Sequence, residues 1–325
     1  MKTRQPEGAL RGPFPIVDDD IPALNRLFSD AFTERYRRDG LVGVRVPPLN
    51  PAVWTYALRL AADGAMAWRD ERGDLLAFNV AHRSGAEGWM GPLAVRPDHQ
   101  GLGLGRTIVE AAVERLRSVG VTTLGLETMP RTVDNIGFYS RLGFVPGCLT
   151  ITVGRDVGSR AGRAVKVPRY SEGSEAERSQ LLRRCRAALD AVAPGYDFSR
   201  EIELTTALDL GDTVVLERGG AVVGFGMYHS APLAEARGVE EVRLLKAVAA
   251  SATDFDGVVR AVESCAARLG IGRVAIRCQT RFTSTYRALM QRGYQVRWTD
   301  LRMTLAGFDE PTLPEGAVVF SNWEI

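Results

Sequence analysis

Gly120 and Gly270 stand 150 residues apart, and Gly143 and Gly293 repeat the interval (293 − 143 = 150). Around them a pattern recurs. "VERLRSVGVTTLGLE" and "SCAARLGIGRVAIR" each read as an amphipathic helix, a glycine stop and a β-rich run, and "NIGFYSRLGFVP" lies opposite "TYRALMQRGYQV". Self-similarity at one spacing over two helices and three strands marks a duplication, so whatever this chain folds into is built twice. "GPLAVRP" falls opposite "EVRLLKA" in the same register, and the match is expected to run without a gap. A length of 325 residues fits two cores better than one. The copies are placed at residues 1–153 and 176–325. The stretch 154–175, rich in Gly, Ser and Arg, has the composition of a linker.

Bulk chemistry removes several functions. A net charge of +2 and no long run of like charge give no field for a polyanion, so nucleic acid is not an expected partner. No segment approaches the roughly 18 uninterrupted apolar residues of a membrane span, and the N-terminus has no apolar signal core, so we expect a cytoplasmic protein off the membrane. Cys148, Cys185, Cys265 and Cys278 lie far apart without a C-x-x-C pair and read as free thiols; with only three histidines, no metal site is expected.

In the first copy the run "EGWMGPLAVRP" reads as a strand ended by Pro97, and Leu104, Ile108, Ala111, Ala112 and Leu116 form a helical stripe. Between them sits "DHQGLGLGR". A strand, a glycine turn and a helix present backbone N–H groups and the positive end of a helix dipole, which suits phosphate oxygens. A Walker loop needs G-K-[ST], whereas Gly105 is followed by Arg106 and Thr107. A dinucleotide fingerprint needs a third glycine where Arg106 or Ile108 stands.

Gln100, Gly103 and Gly105 instead match Q-x-x-G-x-G, and with Asn135, Tyr139, Gly143 and Phe144 downstream the first copy resembles the GNAT superfamily of N-acetyltransferases. The resemblance implies an α/β fold of the α+β mixed-sheet kind, here a tandem GNAT fold, each copy a mostly antiparallel splayed sheet flanked by helices. It implies acetyl-CoA as co-substrate, with Gln100, Gly101, Leu102, Gly103, Leu104, Gly105 and Arg106 around the pyrophosphate. The main chain of Leu93, Ala94 and Val95 would pair with the pantetheine amides like an added strand. Asn135 would touch the coenzyme arm, cap a helix, or do both. Tyr139 takes the family position of the acid that protonates the departing thiolate. The base is left between Glu127, Glu87 and a water chain. The acceptor is an amine of a small molecule or a protein, and a homodimer is compatible with the family.

The acceptor pocket is expected from the first helix and its following loop, where Tyr36, Trp54 and Tyr56 either line it or pack as a helix face. Opposite Gln100, Gly103 and Gly105 stand Ala250, Thr253 and Phe255, and opposite Tyr139 stands Leu289. The second copy thus reads as degenerate. Besides amine acetylation, a coenzyme A-binding module without turnover and acyl transfer to a hydroxyl or thiol share the same coenzyme site.

Overall fold

The computed structural model describes residues 10–157 and 167–323. The linker expectation therefore lies partly outside the described residues, at 158–166. Of its remainder, residues 154–156 belong to a strand and Ser174 caps a helix.

Each copy contains the same nine elements. In the first these are α1 (Ile21–Arg38), α2 (Pro51–Ala61), β2 (Ala65–Arg69), β3 (Leu75–Ser84), β4 (Glu87–Val95), α3 (Leu104–Ser118), β5 (Thr123–Thr128), α4 (Val133–Arg141) and β6 (Phe144–Asp156), preceded by β1 (Arg11–Pro15). In the second they are α5 (Glu175–Asp190), α6 (Ser199–Ala207), β7 (Gly211–Arg218), β8 (Ala221–His229), β9 (Val242–Ala249), α7 (Ala252–Arg268), β10 (Arg273–Gln279), α8 (Thr283–Gln291) and β11 (Gln295–Leu305), followed by β12 (Val318–Ser321). The chain is thus one α/β unit built twice, the architecture that the GNAT resemblance implies. Local chemistry explains the main punctuation: Asn50 caps α2 through its side chain, with Pro51 at the first helical position, and Ser174 and Glu177 form a capping box on α5.

The strands form one continuous sheet in the order β1-β2-β3-β4-β5-β11-β6-β10-β9-β8-β7. The final strands have changed places. β11 of the second copy pairs with β5 of the first, and β6 of the first pairs with β10 of the second. β6 and β11 also pair with each other, and Thr150 lies opposite Asp300. Since 300 − 150 = 150, these are equivalent residues, so the pseudo-twofold axis between the copies runs through that pair. The boundary read at residue 153 falls inside β6. Gly125 shows why the crossing tolerates so little bulk on β5: a Cβ there would lie 2.7 Å from the Met303 carbonyl and 2.4 Å from the Trp89 ring.

The repeat register holds from α3 onward but not before it. β4 pairs with β5 through Gly88↔Leu124, and β9 pairs with β10 through Val242↔Val274. The latter strands differ by 150 (274 − 124), whereas the former differ by 154 (242 − 88). The expectation of a gapless match, with "GPLAVRP" opposite "EVRLLKA", is thereby corrected. The cause is the turn: residues 96–103 connect β4 to α3, but only Ala250 and Ser251 connect β9 to α7.

Apolar cores lie on both faces of the sheet. α3 buries Ile108, Val109, Ala112 and Leu116 against Met90, Leu124 and Leu126, and each fully buried side chain of this size contributes about 1.5–3 kcal/mol. Met303 and Leu305 of β11 belong to this same first-copy cluster, while Val153 of β6 belongs to a second-copy one. Neither half completes its core without the other's strand.

Candidate active site

A cavity of about 800 Å³ opens where β4 and β5 part. The two strands pair from Glu87↔Thr123 to Met90↔Leu126 and then diverge, so the edge from Gly91 to Val95 has no strand on that side. On its other side β4 stays paired to β3 through Asn79↔Leu93, Phe78↔Ala94 and Ala77↔Val95. The Gly91 carbonyl accepts a 2.8 Å hydrogen bond from Nε2 of His82, a buried imidazole that burial pushes down to about 3. The protein thus holds the first peptide of the open edge in place and leaves the next ones accessible.

The edge runs into the glycine turn. Gly101 and Gly103 have φ of +80° and +90°, a region that side chains with a Cβ rarely adopt, and Gly103 is the N-cap of α3. The first-turn N–H groups of a helix have no intrahelical acceptor and carry the positive end of its dipole. The side chain of Gln100 donates to the Val95 carbonyl at 3.1 Å and accepts from Arg38 at 3.0 Å, fastening the turn to the strand and to α1. Leu104 is buried, Leu102 is exposed, and Gly105 lines the cavity. Arg106 faces away: its side chain pairs with Glu110 at 2.7 Å and its N–H donates to the Gly103 carbonyl at 3.0 Å.

Tyr139 of α4 lies in the cavity wall at 6% exposure, packed against Phe138 and Phe144. Burial raises its phenol above the ordinary value, so the proton stays on. Asn135 also lines the cavity, but the helix cap reading for it is corrected, because the N-cap position belongs to Thr132. Glu127 lines the cavity too, with its carboxylate fully engaged. Thr150 donates to it at 2.5 Å, Arg302 at 2.8 Å, and Arg277 closes a further ion pair. Burial acts to raise this carboxyl, but the two guanidiniums and the threonine hydroxyl outweigh it and hold the pKa low. Glu87 stands apart from the cavity, buried and hydrogen-bonded to Trp89 and Ser321.

Of the three aromatics offered for the acceptor pocket, only Tyr36 is in the wall. Trp54 and Tyr56 pack as a helix face: the Trp54 indole donates to Asn25, and Tyr56 lies edge-on to His229. What the repeat did not signal is the other wall. Arg237, Glu241, Arg243, Arg277, Trp298, Asp300, Arg302 and Trp323 all come from the second copy. The visible trace was "WTDLR", polar residues alternating inside an otherwise strand-like run.

The matched region of the second copy is closed. β12 pairs with β9 from Val318↔Ala249 to Ser321↔Lys246, beyond the point where β9 pairs with β10. The chain's own strand fills the splay that stays open in the first copy. In this region Asp254 is buried, accepting from Ser251 and paired with the exposed Arg218, and Asp256 pairs with Arg260 and Arg292.

A family model described as "Acetyltransferase (GNAT) family" matches residues 23–144, the stretch that carries the open splay, the turn and Tyr139. Over that stretch the chain is similar to the GNAT superfamily. Among relatives, serotonin N-acetyltransferase 2, chloroplastic, of Oryza sativa subsp. japonica is 48% identical over 126 residues, 38% of this chain and 56% of that one. The [ribosomal protein bS18]-alanine N-acetyltransferase of Escherichia coli K12 is 35% identical over 74 residues, 23% of this chain and 50% of that one. The chain spans about half the length of these curated relatives. A putative acetyltransferase from Pyrococcus horikoshii matches in structure with a TM-score of 0.67 at 15% identity, covering 100% of this chain and 98% of that one. A tandem GNAT protein from the clavulanic acid biosynthesis pathway matches with a TM-score of 0.57 at 13% identity over 91% and 98%.

Gly103→Asp is expected to abolish coenzyme binding without unfolding the chain. A Cβ at Gly103 meets nothing within 4 Å, and aspartate is a favoured helix N-cap, although the positive φ strains it. Its charge would face the pyrophosphate. Calorimetric titration with acetyl-CoA checks this, and unchanged affinity contradicts it.

Proposed function

We propose that this protein transfers the acetyl group of acetyl-CoA to a primary amine at one site, built on the first copy and walled by the second. The carrying observation is the contrast between the two splays: open beside Gly91–Val95, closed by β12 beside β9. In this reading residues 1–153 supply the coenzyme site and residues 176–325 the opposite wall, with the exchanged strands joining them across the linker.

The residues present fit the coenzyme. The N–H and C=O groups of Leu93, Ala94 and Val95 offer an extended edge for an amide-bearing arm, and the turn from Gln100 to Gly105 offers amides and a helix dipole for its pyrophosphate. Asn135 lies along the same path. Tyr139, kept protonated by burial, donates to the thiolate that leaves. Glu127 anchors Arg277 and Arg302, which sets a fixed charge pattern under the reacting centre. The relatives named for serotonin and for an alanine of a ribosomal protein bracket the acceptor between a small amine and a protein terminus. No helix among the described residues is long and apolar enough to cross a membrane, and we place the protein in the cytoplasm with its acyl donor.

The test is free-thiol release from acetyl-CoA by the full chain over a panel of amines, with the amide product identified by mass. Coenzyme binding without acceptor-dependent thiol release on any amine overturns the reading.

A further inference from the structure

The cavity wall contains a second carboxylate that differs from Glu127 in kind. Asp300 of β11 lies beside β5 because of the strand exchange, on the face that carries Glu127, Arg302 and Trp89. Its Oδ2 accepts from Arg277 at 3.1 Å and its Oδ1 from the Trp298 indole at 3.2 Å. The charged and titratable groups around it are Tyr36 from α1, Glu127 from β5, Arg277 from β10 and Arg302 on its own strand. Burial raises the Asp300 carboxyl; Arg277 opposes this and Glu127 adds to it. Glu127 shares its two oxygens among three donors and is held low. Asp300 thus accepts from two donors, Arg277 and the Trp298 indole, where Glu127 accepts from three.

Above Asp300 two aromatic rings meet across the copies. Tyr36 and Trp298 have ring centroids 6.2 Å apart with planes at 41°, and Trp298 keeps 39% of its surface exposed. A ring of an incoming molecule can pack against the exposed surface of Trp298 beside Tyr36. The surrounding pocket is bounded. The loop after α1 and the second-copy segment at 232–235 are joined by hydrogen bonds from Asn50 N to Leu233 O and from Glu235 N to Pro48 O, both 2.9 Å. Among the described residues, six arginines and five carboxylates line the cavity, and Arg277 and Arg302 are paired with Glu127, so the wall is close to balanced in charge.

We propose that the acceptor is a compact primary amine with one flat aromatic body, packed against Tyr36 and Trp298, and that Asp300 is the base that takes the proton from its nitrogen. This deepens the acetyl-transfer reading and rests on it. The neutral amine nitrogen bonds to the thioester carbonyl carbon as the carbon–sulfur bond breaks. The amine proton passes to Asp300, Tyr139 gives its proton to the sulfur, and both side chains return to their starting states by exchange with water. The products are the amide and free coenzyme A.

The test compares 2-phenylethylamine, propylamine and a tripeptide with a free N-terminal alanine, by thiol release from acetyl-CoA with the full chain. Phenylethylamine is expected to give kcat/KM about tenfold above either of the others, the scale of one aromatic packing contact. Trp298→Ala should remove that preference through KM, and Trp298→Phe should restore most of it. Asp300→Asn should lower kcat by ~10²-fold with KM and coenzyme affinity retained. Equal or better turnover of propylamine or the tripeptide overturns the acceptor class, and wild-type kcat in Asp300→Asn overturns the base. If no acceptor supports thiol release although coenzyme binds, the acetyl-transfer reading falls and this proposal falls with it.

Discussion

Tyr139→Phe is expected to lower turnover by ~10²-fold or more while leaving coenzyme affinity nearly unchanged, the scale of losing one general acid. The phenol sits in the cavity wall, its ring held by Phe138 and Phe144. Phenylalanine keeps the packing and removes only the proton donor. Burial raises the pKa, so the donor is protonated across the whole neutral range and the loss should not depend on pH there. A core tyrosine without a chemical role would leave kcat unchanged. Steady-state kinetics beside a calorimetric titration separates these outcomes, and wild-type kcat contradicts the assignment.

Lys246→Ala should be the most destabilising single change in the interior, costing about 3–5 kcal/mol. Lys246 on β9 is fully buried. Its Nζ donates to Ser321 at 2.8 Å, lies 3.8 Å from Glu87 and 3.7 Å from Glu201, and sits 3.8 Å over the Trp323 ring. One ammonium thereby neutralises a carboxylate from each copy and holds the strand that fills the second splay. Without it, both carboxylates lose their buried ammonium, and Glu87 is left with the charge of Arg302 nearby. Burial already raises Glu201 to about 7, against the pull of Lys246 and Ser84. An acid whose folded pKa is raised is tolerated best when protonated, and losing Lys246 raises Glu201 further, so the deficit of the variant should shrink as pH falls toward about 7. Denaturant midpoints at two pH values check both statements. Adding Glu87→Gln and Glu201→Gln to Lys246→Met should recover most of the loss, because neutral groups replace the stranded charges. A loss within about 1 kcal/mol for the single variant contradicts the account.

The proposed coenzyme side of the cavity was legible in the sequence as a strand, a glycine turn and a helix because these determinants are local. A strand, Gln100, Gly103, Gly105 and a helix lie in one short stretch, and the backbone does the work. Tyr139 followed from the same family pattern. The acceptor side was not legible, since Trp298, Asp300 and Arg302 lie more than 150 positions from the turn and arrive there only through strand exchange. Nothing in the composition of β6 or β11 says which neighbour each chooses, because both are strands of similar length with an apolar end. The charge pair at the axis carries a trace of the arrangement. Glu127 and Arg277 occupy equivalent positions (277 − 127 = 150) and bind each other. Two separate identical chains would place like charges there, whereas a fused chain can place opposite ones. The gapless register fails for a related reason: the turn between β9 and α7 is shorter than that between β4 and α3 and β9 is shifted by four residues, and a sequence match anchored on later glycines does not register a length change in front of them.

In the proposed function one chain carries one coenzyme site, the open splay of the first copy, while β12 occupies its counterpart. Equilibrium titration of the full chain with acetyl-CoA tests it most directly, run in parallel on Gly103→Asp. The account predicts a stoichiometry near one for the unaltered chain and no binding for the variant. Two equivalent sites per chain, or binding that survives Gly103→Asp, would contradict it.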